Sequence, residues 1–130
     1  MADTQRVMYG SCKLTNSTTA ITAVGQMIAV STGATPLGYV ASDAASRRVV
    51  GINEYAVAAS GELVAQSGIW LLDNSSVYPV TQAYIGARCY VEDSTTVSVS
   101  TGTNSLVAGT VVDVVSAGVY VRIGDCVTLS

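Results

Sequence analysis

Side chains able to do covalent chemistry are few in this chain. It has no histidine at all, which removes Ser-His and Cys-His nucleophile arrangements. Lys13 is the single lysine, and nothing in its surroundings marks it as a buried amine beside a reactive group. Cys12, Cys89 and Cys126 are far apart and form no CxxC pair, so neither a zinc site nor a redox motif is indicated. Glu92-Asp93 is the closest approach to a carboxylate pair. Neighbouring strand residues point to opposite faces, so the pair reads as a solvated hairpin loop rather than as acid and base. Asp73-Asn74 lacks the alternating acids of a calcium loop and reads as part of a loop over 73–76. Gly102 and Gly109 lack the lysine and following helix of a phosphate-binding loop, and read as turns. No catalytic residue, metal ligand or cofactor site is expected.

The elements that carry these residues read as strands. Val49 to Leu72 is a run of β-type segments broken at Gly51, at Ala58-Ala59-Ser60-Gly61 and at Ser67-Gly68. Gly51 sits among β-branched residues where a bulge or a close backbone approach fits. Before it come segments near 7–14, 26–30 and 37–40. After it come Ala87 to Val91, Val97 to Ser100, Leu106 to Val115 and Val119 to Ile123. In the last of these, alternation places Val119, Val121 and Ile123 on one face. Ser42 to Arg48 is the best helical candidate, two turns at most, with Ser42 as its cap. Thr81 to Tyr84 could form a single turn. Glu and Lys together number four, so strong helix formers are nearly absent. The expectation is one all-β domain over 1–130, a β-barrel or β-sandwich of short antiparallel strands. Residues 1–14 supply an N-terminal arm and first strand, and there is at most one short helix.

Composition narrows the partners. Charged residues are 12% of 130 and hydrophobic ones 49%, with no Phe. Charge is about half that of an ordinary soluble domain, which suggests a surface covered by other chains. A net charge of −3 argues against free nucleic-acid binding. No run of 18 apolar residues is present, so no membrane span is expected. The first residues lack a signal peptide's apolar core, so the expectation is synthesis in a reducing cytosol, with the thiols serving as small buried hydrophobes. Contact residues are the better candidates for function. Arg47-Arg48 is the only basic pair, read either as a solvated loop or as an interface element. Tyr78 and Tyr84, near Pro79, read as exposed anchors, and Trp70 as core because Ile69 and Leu71 beside it are apolar. The arm from Met1 to Arg6 is the segment expected to reach onto a neighbour.

Three pieces of this pattern resemble the capsid-decoration, or cement, proteins of tailed bacteriophages. The first is Ala58-Ala59-Ser60-Gly61-Glu62 leading to Gly68-Ile69-Trp70-Leu71. The second is Ile85-Gly86-Ala87-Arg88-Cys89-Tyr90-Val91 with Glu92-Asp93 after it. The third is Asn104 to Ile123, with Ala108-Gly109-Thr110-Val111 and Gly118-Val119-Tyr120-Val121-Arg122-Ile123. The resemblance runs from about Gly51 to Ile123. It implies a non-enzymatic virion protein, made in the bacterial host cytoplasm, that sits on the capsid exterior. Its partners would be the major capsid protein and other copies of itself, a trimer above all. Two alternatives stand beside it: a tail or head-fibre module, and a carbohydrate-binding β-sandwich using the tyrosines as a platform for surface glycans.

Overall fold

The computed structural model describes residues 7–9, 11–124 and 127–129. Every regular element in them except one 3-10 turn is a strand, and the protein is all-β. Five strands close into a barrel: β7 (Gly68–Asn74), β8 (Arg88–Val91), β9 (Thr96–Ser98), β10 (Val107–Val115) and β11 (Gly118–Ile123), in the order β10-β11-β7-β9-β8. Five more form an open sheet: β2 (Ser11–Thr15), β3 (Met27–Ser31), β4 (Gly38–Val40), β5 (Arg47–Asn53) and β6 (Glu62–Gln66), in the order β2-β6-β5-β3-β4. A two-stranded ribbon pairs β1 (Val7–Tyr9) with β12 (Val127–Leu129). The chain passes from sheet to barrel at Ser67, between β6 and β7.

The barrel follows from alternation in its longest hairpin. Val119, Val121 and Ile123 on β11 all point inward and are fully buried, as expected of a period-2 strand with one apolar face. They meet Val111 and Ala108 from β10, Cys89 and Val91 from β8, Val97 from β9 and Leu72 from β7. The same buried cluster takes in Met27, Ala29, Ala41 and Ile52, so one face of the open sheet packs on the barrel. A second, smaller cluster of Ile21, Ile28, Leu63 and Ala65 lies on the sheet's other face. Antiparallel pairing dominates, but β7 and β9 run parallel, Asp73 opposite Thr96 and Asn74 opposite Val97. That pairing closes the barrel.

Gly51 does both things its context suggested. The β3–β5 register slips between Ile28 and Ala29, leaving Val50 as the extra residue of a bulge. A Cβ on Gly51 would lie 2.6 Å from the Gln66 carbonyl oxygen, so only glycine lets β6 come this close. Gly109 is not in a turn. It lies inside β10 at a second register slip, where a Cβ would overlap the Arg122 carbonyl oxygen.

Other expectations also need correction. Ser42 to Arg48 forms no helix. Residues 42–46 are irregular, and Arg47 and Arg48 are paired with Ser31 and Val30 at the start of β5. The Asp43 carboxylate, next to the supposed cap, instead accepts the backbone N–H groups of Thr103 and Asn104 at 2.8 and 2.9 Å. Asp73 and Asn74 end β7 rather than opening a loop, and the Asn74 side chain brackets Val80 through both its N–H and its carbonyl. Cys12 is disulfide-bonded, contrary to the expectation of three free thiols. Cys126 lies outside the described residues. Cys89 is a free, buried thiol.

Candidate interaction surface

Cross-strand register arranges the barrel's outer wall in rows. One row runs Arg88 on β8, Thr110 on β10, Arg122 on β11 and Ile69 on β7, each directly opposite the next. The row beside it runs Asp113, Tyr120 and Leu71. Directly paired residues share a face, so these side chains stand together on the outside. Ile69 is 47% exposed, Leu71 45% and Tyr120 38%. Two aliphatic side chains and a tyrosine beside an arginine, left open to solvent on rigid strands, have the composition of a protein contact.

The same arginine row forms one wall of a groove of about 610 Å3 between barrel and sheet. Arg47, Arg48, Arg88 and Arg122 all border it, four of the six basic residues in the chain. Arg47 shares its face of β5 with Val49, which packs on the barrel cluster, so its side chain is on the groove side. Its guanidinium lies over the Tyr39 ring, 3.9 Å from the centroid, an arrangement that holds the cation without neutralising it. Arg48 turns to the opposite face and borders the groove at its edge. Asn104 and Ser105 make the rim, and the two Asp43 hydrogen bonds pin that loop in place. The same backbone N–H groups, Thr103 first and then Asn104, hold the Asp43 carboxyl below its ordinary value.

The expected contact residues divide. Arg47 and Arg48 are brought together with Arg88 and Arg122, in a strand rather than in the solvated loop that was the other reading. Tyr78, 54% exposed, and Tyr84, 39% exposed, are open to solvent as expected. They sit at either end of a loop built on the 3-10 turn Gln82–Tyr84, away from the arginine pair in sequence and not lining the groove. Gln82 ties this turn to β10 by donating to the Val114 carbonyl. Met1 and Arg6 lie outside the described residues. Trp70 is half-buried against the barrel cluster, but for the reverse of the expected reason, since Ile69 and Leu71 point outward. Its indole N–H is buried with no hydrogen-bond partner. Sequence reasoning missed Arg88 and Arg122. Their outward positions in alternating strands were readable; their convergence depends on β10 lying between β8 and β11.

Among the described residues no group of three or more His, Cys, Asp or Glu side chains converges as metal ligands would. Burial pushes the Cys89 thiol up to about 11, and its Sγ lies 3.6 Å from the Gly109 carbonyl, so it is a poor nucleophile. Glu92 accepts a hydrogen bond from the Ser75 hydroxyl at 2.6 Å, which anchors the β8–β9 hairpin to the loop after β7. No family model, curated protein or solved structure matches this chain.

Proposed function

We propose that the protein is a non-enzymatic virion component that binds the outer surface of an icosahedral phage capsid and reinforces capsomer junctions as a symmetric oligomer, a trimer above all. The observation that carries this reading is the barrel's outer wall, where Ile69, Leu71 and Tyr120 stand exposed beside Arg122 on paired strands. The sequence resemblance to cement proteins points the same way. Such a protein acts by linkage: binding only the assembled shell, it shifts the equilibrium away from disassembly without any chemical step. Rigid strands suit that role, because little conformational entropy is lost when they dock.

The test is the mass of the purified protein in solution, followed by co-sedimentation with phage heads that lack it. A trimer that binds heads to a fixed plateau supports the proposal. A monomer that does not sediment with heads but is retained on a glycan column contradicts it in favour of sugar binding by the exposed tyrosines.

A further inference from the structure

We infer that the groove between barrel and sheet is a docking site for an extended, carboxylate-rich peptide segment of a partner protein. Charge is the first argument. The chain carries −3 overall, yet four arginines border this groove, so everything else sums to −3 − 4 = −7. No salt bridge links any of these arginines to an acid among the described residues, and Asp43, beside the groove rim, is engaged by backbone N–H groups. Guanidinium forks match carboxylates in bidentate geometry, which makes arginine rather than lysine the fitting residue here.

Backbone is the second argument, and it selects a peptide over other anions. β6 pairs with β5 only at Ile52 and Asn53, so the flank of Arg47 to Val49 turned away from β3 has no strand partner among the described residues. β11 meets β10 only from Thr110 onward, so half-buried Val107 likewise has no strand partner on the side away from β8 among the described residues. Arg47, Arg48, Val49 and Val107 all line the groove. Unpaired strand edges offer main-chain donors and acceptors that an incoming strand can use, with alternate side chains set into pockets on either side. Half-buried Val49 and Val107 supply apolar floor between the arginines. A long polyanion would find matching charge only within the groove and acidic surface beyond it, whereas a short acidic segment ends where the arginines do.

The inference stands apart from shell binding, because peptide titration interrogates the groove alone. The experiment is fluorescence anisotropy of the full chain with a labelled peptide of about ten residues alternating Glu and Thr, the same peptide with Gln for Glu, and an oligothymidylate of equal length. The expected result is saturable binding of the Glu peptide, a loss of about tenfold or more for the Gln peptide, and a similar loss in the double variant Arg88→Gln, Arg122→Gln. These two positions are exposed, so the variant keeps its fold, and an unchanged thermal melt checks this. Amide shifts on titration should fall at 47–49 and 107. No saturation up to about 1 mM, shifts elsewhere, or equally tight, arginine-dependent binding of the oligothymidylate would each overturn it.

Discussion

The barrel and the flanking sheet use strands of similar length and composition, yet they dispose of their edges differently. The barrel pairs every strand on both sides, using the parallel β7–β9 contact to complete the ring. The sheet ends in β2 on one side and the three-residue β4 on the other, and its central strand β5 is paired along its full length only with β3. Burial follows the same division. Most of the large buried cluster belongs to the barrel, with the sheet contributing one face to it, while the cluster on the sheet's other face holds four buried apolar residues among those described. Closure removes the edges that invite pairing with other chains; an open sheet keeps them. The barrel is therefore the stable platform. The seam with β5 is where, among the described residues, a strand flank without a strand partner and arginines without a salt bridge coincide.

Four perturbations sharpen that contrast, and the first should have the largest effect. Val121→Asp places a carboxylate at the centre of the barrel with no partner within reach, and the protein should fail to fold, read as loss of the cooperative melt. Leu63→Ala empties the middle of the small sheet cluster and should cost about 2–5 kcal/mol in denaturant unfolding. Hydrogen exchange should then show β4 and β6 opening ahead of β11; simultaneous opening would mean that the two regions form one cooperative unit. Asn53 is buried and holds the 23–26 segment, accepting from Gln26 N–H at 2.9 Å and donating to the Ala23 carbonyl at 2.7 Å. Asn53→Ala should cost about 1–3 kcal/mol, since the partners left behind are part-buried.

The smallest effect is at the groove rim. Because Thr103 and Asn104 N–H groups lower the folded-state value of Asp43, its contribution is present above the ordinary carboxylate value of 3.8 and is lost as pH falls through the lowered one. The melting difference between wild type and Asp43→Ala should therefore shrink on acidification through that range. A difference that stays constant with pH would show that the carboxylate's charge is not what holds the rim.

Much of the barrel was legible in the sequence because its strands alternate. Val119, Val121 and Ile123 could be assigned to one face without a structure, and the turn before them is where Ser116 to Gly118 put it. Ser42 to Arg48 misled because local spacing resembles a capped helix, while long-range partners decide the outcome: Asp43 is drawn to residues 60 and 61 positions away, and Arg47 and Arg48 are drawn to β3. Trp70 does pack on the core, but Ile69 and Leu71 beside it do not, because three consecutive apolar residues cannot all face inward on a strand. The arginine groove was half legible. Arg47-Arg48 stood out as a pair, but Arg88 and Arg122 join them only through strand order, which no local pattern encodes.

The most direct measurement of the shell-binding account is co-sedimentation of wild type and the double variant Ile69→Glu, Leu71→Glu with heads lacking the protein. These residues are exposed on the closed barrel, so the variant should melt close to wild type. The account predicts saturable binding for wild type and little or none for the variant. Equal binding by both, or none by wild type, would contradict it.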